Sequence, residues 1–257
     1  MLKAHNLVKE FGELRATDEV TLEFGRTEGE MVFIVGPNGA GKTTLINLLT
    51  GLLEPDAGSV IVQREENGKT VTEDITDVPP AERVTSGLVR SFQIVHVFEE
   101  MTVRENVRTA ALSRYGKTLS MRSRDDQHGE VEETVRELID RFRLDDVADE
   151  VAETLPHGDR KLLDVAMSFA LDPTYLLLDE PTSGVATREK EYVIETIVEA
   201  SEVNEVTTVT IEHDMDLVKE YADRLVVLHN GAVFREGDPS LLETDSELRR
   251  VLLGVDE

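Results

Sequence analysis

Between the apolar run Met31-Val32-Phe33-Ile34-Val35 and the helix-like stretch Thr44-Leu45-Ile46-Asn47-Leu48-Leu49, the chain reads Gly36-Pro37-Asn38-Gly39-Ala40-Gly41-Lys42-Thr43. No other stretch constrains the fold so tightly. A strand delivers the chain to a tight glycine-rich turn whose backbone N–H groups point inward, and the following helix presents its positive end to the same point. An anion belongs there, and the string is a phosphate-binding loop in its expected setting. Lys42 is placed to reach the β- and γ-phosphates of a nucleotide, and the Thr43 hydroxyl to ligate a magnesium ion bridging them. The candidate nucleotide contacts are this loop together with Thr44.

The rest of the chain supplies the layers such a loop needs. Up to about residue 75, short apolar runs are punctuated by glycine and turn residues, and Val20 to Phe24, Met31 to Val35 and Val60 to Gln63 read as strands. From about Met101 to Arg160, Val131, Val135, Leu138, Ile139 and Phe142 recur at helical spacing among many charges, which marks a helical insert. Its polar middle, Tyr115 to Gly129, reads as a loop or frayed helix. Further on, Tyr175 to Leu178 and Val206 to Ile211 are continuous β-type runs, as in parallel strands covered on both faces. Between them, residues 188 to 199 place Val193, Ile194, Ile197 and Val198 on one helical face, making a strand-helix-strand unit. Asn230-Gly231 between apolar runs signals a two-residue hairpin, and a short helix follows Pro239.

A phosphate loop says nucleotide but not what becomes of it. The buried-type strand Tyr175-Leu176-Leu177-Leu178 ends in Asp179-Glu180-Pro181-Thr182, and a strand end is the expected way to bring a carboxylate to the magnesium beside the loop. Asp179 is placed to sit on that ion through water. Glu180, one residue on, can act as general base on an attacking water.

With these motifs in order, the chain resembles the ATPase subunits of ABC transporters from about Leu2 to Gly254. The resemblance implies an α/β fold: a P-loop NTPase, RecA-like core with an antiparallel β subdomain and an inserted helical subdomain. It implies one cassette over 1–257, divided into 1–90, a helical part 91–165, and a second core part 166–257 with the hairpin and last helix. It also gives roles to residues that mean little alone. Phe11 matches the aromatic on which adenine stacks. Gln93, in Val89-Arg90-Ser91-Phe92-Gln93, matches the glutamine that touches magnesium and the nucleophilic water, and His213 matches the switch histidine at the γ-phosphate. The implied ligands are ATP and Mg²⁺.

The family's signature peptide, usually Leu-Ser-Gly-Gly-Gln, reads Leu155-Pro156-His157-Gly158-Asp159 here. In the family it docks on the nucleotide of the other subunit, with a serine hydroxyl and glycine amides donating to the γ-phosphate. The hydroxyl is missing, although Pro156 is tolerated at a helix start and the Gly158 N–H and helix N-terminus retain positive potential. The loop Ser183-Gly184-Val185-Ala186-Thr187 lacks the usual Asp. Gly87 to Gln93, followed by Val97 to Asn106, looks most like the LivG-type subunit of branched-chain amino acid importers. His157-Gly158 and Thr187-Arg188-Glu189 are also similar to the urea and amide importers of that branch.

The resemblance therefore implies a transport ATPase at the cytoplasmic face of the membrane. Its partners would be a second nucleotide-binding subunit, identical or a paralogue, permease subunits and, indirectly, a solute-binding protein. Non-transport ABC ATPases favour paired domains, coiled coils or basic surfaces, and a binding module without turnover would not need Glu180 and His213. With 53 acidic against 27 basic residues and a net charge of -26, the chain repels nucleic acid and anionic lipid. No window approaches the ~18 uninterrupted apolar residues of a spanning helix, and Met1 to Asn6 is not a signal peptide. Cysteine is absent, which excludes disulfides and thiolate metal sites. Self-repulsion at this charge destabilises the compact state at low ionic strength, a lever that halophiles use. Thermal scans should therefore show the melting temperature rising toward molar salt, and indifference to salt would remove the inference.

Overall fold

The computed structural model describes residues 1–66, 69–91, 97–114 and 125–253, so Gln93 lies outside the described residues. Strands β1 (Leu2–Phe11) and β2 (Leu14–Phe24) pair antiparallel, and β3 (Met31–Val35) runs into the phosphate loop and helix α1 (Lys42–Leu49). Strands β4 (Ala57–Glu66) and β5 (Lys69–Asp74) complete an antiparallel sheet of order β2-β1-β4-β5. After α2 (Pro80–Arg83) and β6 (Leu88–Ser91) come three helices, α3 (Val103–Arg114), α4 (Asp125–Arg141) and α5 (His157–Phe169). The chain then alternates through β7 (Tyr175–Asp179), α6 (Thr187–Val203), β8 (Thr207–Ile211), α7 (Met215–Tyr221), β9 (Arg224–His229) and β10 (Ala232–Gly237), and ends in α8 (Leu241–Thr244) and α9 (Ser246–Leu253). The second sheet has the order β10-β9-β3-β8-β7-β6 and is parallel except for β10.

The second sheet explains the continuous apolar runs. Successive side chains of a strand point to opposite faces, and both faces here are covered. Met31, Phe33 and Val35 join Leu176, Leu178, Leu225 and Val227 in a core shared with α3 to α6. Val32 and Ile34 join Leu177, Val209, Val226 and Leu228 in a second core that takes in Leu45, Ile46, Leu48 and Leu49 of α1 and the inner face of the antiparallel sheet. Helix α1 is thus sandwiched between the two sheets. The hairpin forms as the sequence predicts, with Asn230 at φ 49° and Gly231 at φ 80°, the two positive values that a tight two-residue turn of matching twist requires.

Two boundaries are sharpened by the structure. The polar stretch Tyr115 to Gly129, read as a loop or frayed helix, is helical from Asp125, where α4 begins; further along that helix Val131, Val135, Leu138 and Ile139 are buried in the core shared with α3 and α5. Helix α6 reaches Val203, four residues past the predicted end, burying Ala200 and Ser201 as it goes.

The far end of α1 is held by a cation. The Arg83 guanidinium, 1% exposed, donates to the carbonyls of Leu48 (3.0 Å) and Leu49 (2.5 Å) in the last turn and to those of Thr76 (2.7 Å) and Val78 (2.8 Å). Carbonyls at a helix C-terminus lack intrahelical donors and favour positive charge. Arg83→Met removes every one of these donors and should cost about 3 kcal/mol in urea denaturation; a loss under about 1 kcal/mol would show that water replaces the guanidinium.

Candidate functional site

The phosphate loop is fixed by its neighbours. The Gly231 N–H donates to the Ala40 carbonyl (3.1 Å), and the Asp18 N–H donates to the Gly231 carbonyl (2.8 Å), so loop, hairpin turn and β2 are stitched together. Gly41, at φ 98°, lies so close to β2 that a Cβ would stand 2.3 Å from the Ala16 carbonyl oxygen, and no other residue fits there. Lys42 is buried and donates from Nζ to the carbonyls of Gly36 (2.7 Å) and Pro37 (3.0 Å), which holds its ammonium over the turn. Burial lowers its pKa, against the pull of Glu180 and Asp179.

The acidic side of the site is set by β7 and β8, adjacent parallel strands. Asp179 ends β7 and is 5% exposed. One of its oxygens accepts from Arg90 Nη2 on β6 (3.0 Å), and the same guanidinium donates to Asn47 Oδ1 on α1 (2.5 Å). Burial raises the Asp179 carboxyl, while Arg90 pulls it back. Glu180 stands in the left-handed region at φ 53°, its N–H donating to the Ile211 carbonyl (3.1 Å). A Glu held there stores backbone strain of about 1 kcal/mol. Its Oε1 lies 3.0 Å from Nε2 of His213, just beyond β8. A carboxylate and an imidazole in contact at a cleft edge can take a proton from water and keep it oriented.

The loop, Glu180 and His213 meet in one cleft of about 360 Å³, lined among others by Phe11, Asn38, Lys42 and Thr43. Pro37, on the loop behind Asn38, is half-buried, and Gly36 and Ala40 are buried against the core. Phe11 offers an exposed ring at the rim, at the end of β1. The signature residues are not in that cleft. Leu155 is buried, Pro156 precedes the first turn of α5, and Gly158 packs on Glu189 and Val193 of α6. Burial raises the Asp159 carboxyl, with Glu189 and Glu150 adding to it. His157, in the first turn of α5, is exposed.

Three site residues escape the sequence reading. Arg90 ties Asp179 to α1. Glu212 is 3% exposed and accepts hydrogen bonds from both sides of the Glu180–His213 contact. Lys161, buried on α5, is lowered by burial against the attraction of Asp164, Glu180, Glu212 and Asp179. Only a charged residue inside an apolar run, as Arg90 is, gives any signal in the sequence; Glu212 and Lys161 look like ordinary polar residues flanking their elements.

The family model of the ABC transporter matches residues 20–183. The chain is 32% identical over 262 residues to the high-affinity branched-chain amino acid transport ATP-binding protein LivG of Salmonella typhimurium, covering 99% of this chain and 98% of the relative. It is 32% identical over 262 residues to the corresponding protein BraF of Pseudomonas aeruginosa, with the same coverage of 99% and 98%. Among solved structures, a nucleotide-free ATP-binding cassette from an ABC transporter matches with a TM-score of 0.79 at 30% identity, covering 100% of this chain and 99% of that one. The ADP conformation of an ATP-binding cassette matches at 0.80 and 29% identity, covering 99% and 98%.

Replacing Arg90 with Met should make stability pH-dependent in a definite direction. The folded state, in which burial already raises the Asp179 carboxyl, would then hold that proton more tightly, while the unfolded carboxyl ionises at its ordinary value. The variant should match the parent near about pH 4 and fall behind as pH rises, by about 3 kcal/mol at about pH 8, in paired urea melts. An equal loss at both pH values would assign the effect to packing.

Proposed function

Because the chain belongs to the ABC transporter family and is an ATPase of its ATP-binding kind, we propose that it is the motor subunit of a branched-chain amino acid importer. The observation that carries the cargo class is similarity along nearly the whole chain to proteins named for that transport. The observation that carries turnover is the Glu180–His213 contact of 3.0 Å opening on the phosphate loop.

In this reading adenine stacks on Phe11, and the phosphates lie against the N–H groups from Gly36 to Thr44, with Lys42 moving from its carbonyl partners to the β- and γ-phosphates. The Thr43 hydroxyl and the Asp179 carboxylate, with Gln93, are hard oxygen donors of the kind magnesium takes when it binds mostly through substrate phosphates; Thr43 follows Lys42 in α1, and the charge of Asp179 pulls on that lysine. Bound there, the ion would neutralise charge developing on the phosphates. Glu180 accepts the proton of the attacking water, and His213 orients Glu180 and contacts the γ-phosphate.

Leu155 to Asp159 stand outside their own chain's cleft, so they act on the nucleotide of a facing cassette. Two cassettes closing over two ATP molecules then drive the permease subunits, fed by a solute-binding protein. No helix among the described residues is long and apolar enough to cross a membrane, and the permeases would hold the chain at the cytoplasmic face. The whole of 1–257 works as one cassette, with 91–165 as its moving helical part.

Glu180→Gln should lower ATP hydrolysis about a hundredfold or more while leaving ATP binding intact, and with ATP it should elute as a dimer on a sizing column. Unchanged turnover sinks the assignment of Glu180; a monomer at every nucleotide and salt level sinks the paired site. Copurified with its membrane partners, the complex should show ATPase activity stimulated by leucine, and stimulation by urea instead would replace the cargo class.

A further inference from the structure

Glu180 and His213 are not adjacent in sequence, and their contact depends on two chain segments leaving neighbouring strands in fixed relation. Glu212 joins those segments. Its Oε1 accepts from the Thr182 N–H (3.2 Å) and the Thr182 hydroxyl (2.8 Å), and its Oε2 accepts from the His213 N–H (3.1 Å). Thr182 is 2% exposed. On the other side, the Glu180 N–H donates to Ile211 O (3.1 Å), so the turn from Glu180 to Thr182 is tied at both ends to residues 211 and 212.

A buried carboxylate is a costly way to join two loops, since a neutral amide or hydroxyl can accept hydrogen bonds with less desolvation. What an ionised carboxylate adds is acceptor capacity on both oxygens with no donor of its own. It can therefore face three donors at once, as it does here. The burial is made tolerable by the Lys161 ammonium, for which Glu212, Glu180 and Asp179 are among the attracting charges.

We propose that Glu212 is a positioning residue of the hydrolytic site: its carboxylate locks the segment after β7 to the segment after β8, so that Glu180 and His213 stay in contact through the cycle. Its action on the reaction is indirect, through Glu180 and His213. The inference rests on the ATPase reading above and concerns turnover, not ATP binding, because the hydrogen bonds described for Glu212 run to Thr182 and His213 and none to the phosphate loop.

The full-length chain and its Glu212→Ala, Glu212→Gln and Thr182→Val variants would be compared by steady-state ATPase kinetics, equilibrium binding of a fluorescent ATP analogue and thermal melts. Glu212→Ala should lose about thirtyfold or more in kcat with analogue affinity within about twofold, the pattern of a lost transition-state interaction. Glu212→Gln keeps an oxygen that accepts from Thr182 but turns an NH2 toward the His213 N–H, so it should lose about tenfold, less than Glu212→Ala, and Thr182→Val should likewise fall between the parent and Glu212→Ala. A folded Glu212→Ala variant with unchanged kcat overturns the proposal, as does a parallel loss of kcat and affinity that Glu212→Gln does not rescue. If Glu212→Ala fails to fold, Thr182→Val decides: reduced kcat with affinity kept supports the lock, and unchanged kcat overturns it. A parent chain with no ATPase activity sinks both this and the function proposed above, whereas an active parent with insensitive variants sinks this alone.

Discussion

Everything at the site depends on helix α1 being held at both ends. At its start, the Lys42 ammonium bridges the carbonyls of Gly36 and Pro37; at its finish, the Arg83 guanidinium gathers those of Leu48 and Leu49. Between them, Leu45, Ile46, Leu48 and Leu49 fill the space between the two sheets. Burying four such side chains is worth roughly 1.5 to 3 kcal/mol each before entropy is charged. The hydrophobic term fixes where the helix axis runs, Arg83 holds its end, and Lys42 fills the turn that leads into its start. Arg83 also takes carbonyls from Thr76 and Val78, which couples the segment after the antiparallel sheet to the helix that carries the loop.

The second organising fact is electrostatic. A chain with a net charge of -26 carries its excess acid outside, yet inside the site buried acids are matched by buried bases. Asp179, Glu212 and Asp164 are buried close to Lys161, with Arg90 on Asp179 and Lys42 opposite. The helix that begins at the signature peptide therefore sends a cation, Lys161, among the carboxylates at the ends of β7 and β8. In the low-dielectric interior such pairings are strong, and each member becomes costly if its partner is removed.

What could be read from the sequence was what is local in it. The phosphate loop, the strand end at Asp179-Glu180 and the Asn230-Gly231 turn are each written in a few consecutive residues, and the structure brings the first two into one cleft with Phe11 and His213. Strand β1 carries little signal in the sequence, because register shifts between Ala4 and Leu7, Leu7 and Lys9, and Lys9 and Glu10 break the two-residue alternation that marks a strand. Arg90 and Glu212 escaped for another reason. Their partners stand 89 and 30 residues away, and no spacing rule connects positions joined only by the order of strands in a sheet. The roles of Phe11 and His213 came from family resemblance, since an aromatic at the end of a strand and a histidine after another carry no chemistry by themselves.

Glu180 shows where folding and chemistry part. Its left-handed backbone, at φ 53°, is one that glycine or asparagine would occupy with less strain. As far as the fold is concerned, glutamate is the wrong residue there, and its presence records a demand the fold does not make. A library of this chain sorted for thermal stability alone would drift toward glycine or asparagine at position 180 and arrive at a sturdier protein with no carboxylate against His213. Stability and the proposed role of Glu180 pull on this one backbone torsion in opposite directions, so a sequence optimised without an activity screen would give up the Glu180–His213 contact at a position that stability data would score as improved.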